Sequence, residues 1–256
     1  MEEKTSQETV NIYASGIIGR MRKILHEKGL RVLVRKSWMF AWRFLYSRIL
    51  LQFRSQEYFN YRDWNYACFY HVYNFTWDNE RSVEIPIVLK KLESYEGKRI
   101  LEAGNVLSHY CEVKWDVVDK FEEGTGIIHC DLVDFRPEKK YDLIVSISTL
   151  EHVGYDDDVK DPGKIIETVE NLKKNCLNPG GEMMFTMPLG YNTFLGELLF
   201  ADKLGFDEKY YLKRSSKREW IEVVKEKLGD VTYGTTYIEA SAIVIAGFKC
   251  PGENPG

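Results

Sequence analysis

Beyond Lys98 the chain alternates short apolar runs with stretches of helical period. The runs at Arg99 to Ala103, Trp115 to Asp119, Gly126 to Cys130, Tyr141 to Ser146 and Glu182 to Thr186 have the length and bounding turn residues of buried strands. Lys164 to Cys176 carries Ile165, Ile166, Val169, Leu172 and Cys176 on a helical repeat, and Asn178-Pro-Gly-Gly181 is expected to end that helix. Ser82 to Tyr95 sets Val83, Ile87, Val88 and Leu92 along one face and stops at Gly97. A further helix is expected at Arg218 to Leu228, followed by a last buried strand at Ala242 to Phe248. Strands and helices in alternation predict an α/β fold built on a mostly parallel sheet.

The preceding segment has a different pattern. From Ile17 to Phe53 apolar clusters are interrupted by Arg20, Arg22, Lys23, Arg31, Arg35, Lys36, Arg43 and Arg48. Arg43, Ser47 and Arg54 recur at helical spacing, which leaves Trp38, Phe40, Trp42, Leu45, Ile49 and Leu50 for a wide apolar surface. No run of about 20 uncharged apolar residues spans a bilayer. Two readings stay open for this helix: peripheral contact with an anionic membrane, or docking on the chain's own catalytic domain. An aromatic tract, Tyr58 to Trp77, follows. The organisation is then a basic amphipathic segment (1–57), an aromatic lid with entry helix (58–97), the sheet domain (98–250) and a short tail (251–256).

Charge sharpens this division. About 11 basic and 4 acidic residues lie up to Arg54, so a basic arm precedes an acidic body in a chain whose net charge is −4. The acidic body argues against an extended nucleic-acid footprint. The five cysteines form no C-x-x-C pair and the chain opens without a secretory signal pattern, which together point to a reducing, cytoplasmic compartment.

Five motifs occur in order: Ile100-Leu-Glu-Ala-Gly104, Val117-Val-Asp119, Cys130-Asp131, Tyr141 to Val153 with Leu150-Glu-His-Val153 at its end, and Leu177-Asn-Pro-Gly-Gly181. Their order resembles the class I S-adenosylmethionine (SAM)-dependent methyltransferases over roughly Lys98 to Lys249. The resemblance implies a Rossmann-like sheet whose last strand is antiparallel, with SAM at the carboxyl ends of the strands. It places Glu102, Ala103, Gly104 and Asn105 in the cofactor loop, Asp119 at the ribose, Asp131 and Leu132 at the adenine and Ser146 near the sulfonium. Gly104-Asn-Val-Leu-Ser-His-Tyr110, with Thr76-Trp-Asp-Asn-Glu-Arg81 and Met187-Pro-Leu-Gly-Tyr-Asn192, is further similar to an uncharacterised bacterial and archaeal subgroup often linked to surface-polysaccharide pathways; the subgroup assigns no substrate, and the acceptor expected is a small polar one, an oxygen of a saccharide or glycan precursor.

The chain departs from the family's acidic-x-Gly-x-Gly-x-Gly loop, because Glu102-Ala-Gly-Asn-Val-Leu-Ser108 keeps one glycine of three. Val106 does not tolerate left-handed geometry, so the loop is expected to take another path. Between Asp119 and Gly126 there is no room for a crossover helix. Glu151 and His152, just beyond the fourth strand, are the candidate catalytic pair, with His152 taking an acceptor proton. Tyr191 and Asn192 are candidates for the acceptor wall, and Trp77 and Arg81 for a lid. For each of these the bland reading is a turn, a cap or a helix-face pair, such as Arg81 with Glu84. Ser148 leaves a Glu-x-x-Glu-His metal set incomplete, so no metal is expected. Two functions therefore compete: a methyltransferase acting on a small polar acceptor, and a catalytically silent Rossmann-like scaffold that has lost SAM.

Overall fold

A computed structural model of the chain describes residues 53–237 and 239–252, with isolated positions between residues 30 and 49. The chain divides into two compact units, Met1–Ser55 and Gln56–Gly256. In the first, Leu30, Val34, Trp38 and Trp42 are helical and exposed. The basic residues expected on that helix, from Arg20 to Arg48, lie outside the described residues. No helix among the described residues is long and apolar enough to cross a membrane.

The second unit opens with a hairpin, β1 (Tyr58–Tyr61) and β2 (Trp64–Ala67), paired antiparallel across a turn in which Arg62 takes φ 53°. Helix α1 (Arg81–Glu93) follows and buries Val83, Ile85, Ile87, Val88 and Leu92. Each such side chain contributes about 1.5–3 kcal/mol on leaving water. Pro86 sits inside this helix and has no N–H to give to the carbonyl of Ser82. That carbonyl instead accepts from the amide of Phe69, at 2.8 Å. The proline thus ties the incoming chain to the helix.

The main sheet contains β3 (Ile100–Ala103), β4 (Asp116–Asp119), β5 (Ile127–His129), β6 (Tyr141–Ile147), β7 (Leu177–Pro188), β8 (Glu208–Ser216), β9 (Glu219–Val223) and β10 (Ala242–Lys249). Their order is β5-β4-β3-β6-β7-β10-β8-β9. Neighbours from β5 to β7 are parallel, whereas β10 runs antiparallel to both β7 and β8. This is the expected Rossmann-like sheet with its last strand reversed. Leu101 and Ala103 pack with Ile165 and Val169 of α2 (Lys164–Asn171), while Ile100 packs with Val88 and Leu92 of α1. The strands are buried on both faces, which explains their continuous apolar runs. Strand order reverses between β3 and β6, and the crevice expected of such a sheet lies at the carboxyl ends of those two strands.

Several expectations are corrected. Arg218 to Leu228 is not a helix: Glu219–Val223 is strand β9, with Trp220 buried between exposed neighbours, and only Lys225–Lys227 makes a helical turn. Antiparallel pairing with β8 and burial of the single Trp220 side chain override the helix-forming Glu and Lys content there. Asn178-Pro-Gly-Gly181 does not close the α2 segment but lies within β7, with Gly180 at φ 76°. The helix gives way instead to a π-turn over Leu172–Cys176. As expected, the β4 to β5 connection holds no helix, and the β3 to β4 crossover carries only the single 3-10 turn Leu107–His109.

Candidate functional site at the carboxyl ends of β3, β4 and β6

The loop after β3 hangs on Glu102, whose side chain is fully buried. One carboxylate oxygen accepts from the amides of Val106 (2.9 Å) and Leu107 (2.7 Å), and the other from Trp115 Nε1 (3.0 Å). Burial raises its pKa, while these three donors and Arg81 act in the opposite sense. Glu102 is therefore an anchor of the loop. Gly104 takes φ 93°, and a Cβ built there would lie 2.7 Å from Thr149 Cγ2 and nearer still to Oγ1. Only glycine permits that backbone turn so close to Thr149, two residues beyond β6. Val106, at φ −113°, avoids left-handed geometry as its side chain requires. Asn105 is buried; its Nδ2 donates to Glu122 at 2.6 Å, and its Oδ1 has no hydrogen-bond partner among the described residues.

Asp119 ends β4 where expected, but its carboxylate is occupied. It accepts from the amides of Asn105 (2.9 Å), Phe121 (2.7 Å) and Glu122 (2.8 Å). Asp131 accepts from Lys164 at 2.6 Å and pairs with Lys120 at 3.0 Å, and both lysines also meet Asp157. Although burial alone would raise the Asp131 pKa, the two ammonium groups hold it below the usual carboxylate range. Leu132 is buried in the core beside it. Ser146 donates to the carbonyl of Ala103 at 2.8 Å and so stitches β6 to β3 at the crevice floor.

On the other side of the crevice, Ser148 adopts φ 40° and donates to Glu84 at 2.8 Å. Glu84 also pairs with Arg81 at 2.9 Å, and Glu84 is fully buried. The expected helix-face pair thus exists, but inside the protein. Glu80 and Glu151 join this cluster, and burial first, then the Glu84 carboxylate, pushes Glu80 up to about 7. Burial likewise raises Glu151 well above the usual carboxyl range, and its Oε2 has no partner among the described residues. Trp77, in the turn Tyr73–Asp78 that leads into α1, is buried and is not an exposed flap.

A raised Glu80 has a defined consequence. The folded form holds the proton more tightly than the unfolded chain, so this stabilisation is complete below pH 4.5 and is lost as pH rises through about 7. Denaturation between pH 5 and 7 is expected to show stability falling with pH, at up to about 1.4 kcal/mol per unit from this group. Glu80→Gln should flatten that slope; an unchanged slope would reassign the proton.

His152 and Tyr191 converge on a residue that the motif reading passed over. His152 Nδ1 lies 2.5 Å from Asp156 Oδ2, and the Tyr191 hydroxyl donates to the same oxygen at 2.8 Å. The two rings meet edge to face at 4.8 Å, and Tyr155 and Tyr233 pack on Tyr191. Glu151 Oε1 is 3.7 Å from His152 Nε2, beyond hydrogen-bond reach, so the pair adjacent in sequence is not a pair in contact. Asn192 caps helix α3 (Thr193–Phe200) by accepting from the Leu195 amide at 3.1 Å and donates to the carbonyl of Glu151. The spacing His152-x-x-x-Asp156 was the available signal for the missed partner.

No family model matches the chain. No curated protein matches it either. Among solved structures, the N-methyltransferase NodS from Bradyrhizobium japonicum, in complex with S-adenosylhomocysteine, is 15% identical with a TM-score of 0.37, covering 68% of this chain and 94% of its own. The 1,6-didemethyltoxoflavin-N1-methyltransferase of Burkholderia thailandensis is 12% identical, TM-score 0.40, over 71% and 84% of the two chains. A TehB-like SAM-dependent methyltransferase from Corynebacterium glutamicum is 16% identical, TM-score 0.38, over 64% and 85%.

Proposed function

We propose that the chain is a SAM-dependent methyltransferase acting on an oxygen of a small polar acceptor, of the saccharide or glycan-precursor class. The observation that carries the reading is the contact between His152 Nδ1 and Asp156 Oδ2, made just beyond the carboxyl end of β6, the strand that neighbours β3 and its Gly104 loop. An imidazole whose Nδ1 is held by a carboxylate presents Nε2 as a proton acceptor, which an oxygen acceptor needs and a sulfonium donor does not provide.

The loop residues fit the donor. Gly104 offers bare backbone at a left-handed turn, and the buried Asn105 Oδ1 is an unused acceptor beside it. Gly104, Asn105 and Asp119 would hold the aminoacyl and ribose parts, and Asp131 with Leu132 the adenine. Bound there, SAM supplies an activated methyl group. His152 removes the acceptor proton at Nε2, Asp156 fixes the ring and its tautomer, and Tyr191 holds Asp156 in place. The rings of Tyr155, Tyr191 and Tyr233 give an apolar wall with polar rims, a surface suited to a sugar.

Calorimetry with S-adenosylhomocysteine is expected to show binding, and Asp119→Ala to weaken it at least about tenfold through loss of the loop tether. Absence of heat at millimolar ligand would return the chain to the scaffold reading.

A further inference from the structure

Taking the donor site as read above, we propose that the segment between Gly154 and Asp161 is a gate over its adenosine side, latched shut by Lys120, Asp131, Asp157 and Lys164. The segment is a closed flap. The Asp161 amide donates to the Gly154 carbonyl at 2.8 Å, and Gly154 takes φ 65° with the Asp161 carbonyl where a Cβ would project. A neck so pinched moves its loop as one body. Nothing apolar anchors the tip: Val159 is 81% exposed, and between Tyr155 and Asp161 no residue is buried.

Tyr155 rests on the Tyr191 ring at the base of the flap, and beyond it the flap is held by charge. Asp157 Oδ1 lies 2.6 Å from Lys120 Nζ, just past the end of β4, and its Oδ2 lies 2.7 Å from Lys164 Nζ, at the start of α2. Both lysines also meet Asp131, which follows β5. The four groups form a neutral ring of alternating sign across the carboxyl ends of β4 and β5. Both lysines meet the same oxygen, Asp131 Oδ2, while Oδ1 takes only the Val133 amide at 3.4 Å and is the oxygen left for an adenine amino group. The neighbouring residue in the flap, Asp156, holds His152 and Tyr191. Two consecutive carboxylates thus face the two halves of the site, so one movement admits the donor and reassembles the proton acceptor.

The ring is partly solvated, with the Lys120 side chain 35% exposed, so salt weakens it. S-adenosylhomocysteine carries no net charge, and its association is not steered by the protein's overall field. Stopped-flow tryptophan fluorescence is then expected to show its association rate with the full chain rising between about 50 and about 500 mM NaCl, over which the Debye length falls from about 14 Å to about 4 Å. Asp157→Asn should raise that rate about tenfold at low salt and remove its salt dependence, the open fraction limiting entry in the wild type. Hydrogen exchange of the amides from 154 to 161 should quicken in the same variant. Lys120→Met breaks the same contact from the other side and is expected to behave alike. Equal rates and equal exchange in wild type and variants would overturn the latch. Faster exchange with no binding of S-adenosylhomocysteine to any of the proteins would instead sink the donor reading, and the gate with it.

Discussion

His152→Ala is expected to lower kcat for methyl transfer by about 10²- to 10⁴-fold, the usual worth of a positioned general base, while leaving S-adenosylhomocysteine affinity within about twofold of wild type. The separation follows from position. His152 stands beyond β6 with Nδ1 on Asp156 and its ring against Tyr191, outside the loop that follows β3. Asp156→Asn keeps the shape of the side chain but offers an amide where the imidazole needs an acceptor, so kcat should fall by about 10- to 10³-fold with little change in stability. Tyr191→Phe removes only the second donor to Asp156 and should cost less than tenfold. If His152→Ala retained wild-type kcat on the acceptor, the proton would leave by another route and an oxygen acceptor would lose its main support.

Much of this arrangement was legible in the chain. The buried strands were visible because strands covered on both faces are apolar throughout: Leu143 to Val145 and Ile243 to Ile245 lie in short runs rich in β-branched residues, bounded by turns. Glu102 and Gly104 were visible because they terminate such a strand. The hairpin β1–β2 was not, since Trp64 and Asn65 are exposed and the tract shows aromatic content without alternation. Strand β9 was misread because a single buried residue, Trp220, carries its inward face. The charge ring was beyond reach for a different reason. Lys120, Asp131, Asp157 and Lys164 are brought together by the order β5-β4-β3 and by the start of α2, and no spacing along the chain encodes that meeting. Thr149 is similar: its contact with Gly104 depends on β3 and β6 being neighbours.

Gly104→Ala is expected to destabilise the fold by about 2–5 kcal/mol, a Tm lower by about 5–15 °C. Two costs combine. A non-glycine residue at φ 93° is strained whatever surrounds it, by about 1–2 kcal/mol, and the new methyl would drive into the Thr149 side chain. Thr149→Gly, which removes the Cβ at 2.8 Å as well as the atoms beyond it, should cost about 1 kcal/mol alone, and in the double variant it should restore roughly the collision part, giving a clear coupling energy between two residues 45 positions apart. The same pair decides what the glycine is for. If Gly104 serves the donor, the double variant regains stability but still fails to bind S-adenosylhomocysteine, because the methyl occupies the bare backbone the cofactor approaches. If Gly104 exists only to admit Thr149, stability and binding return together, and the donor contact belongs elsewhere in the loop.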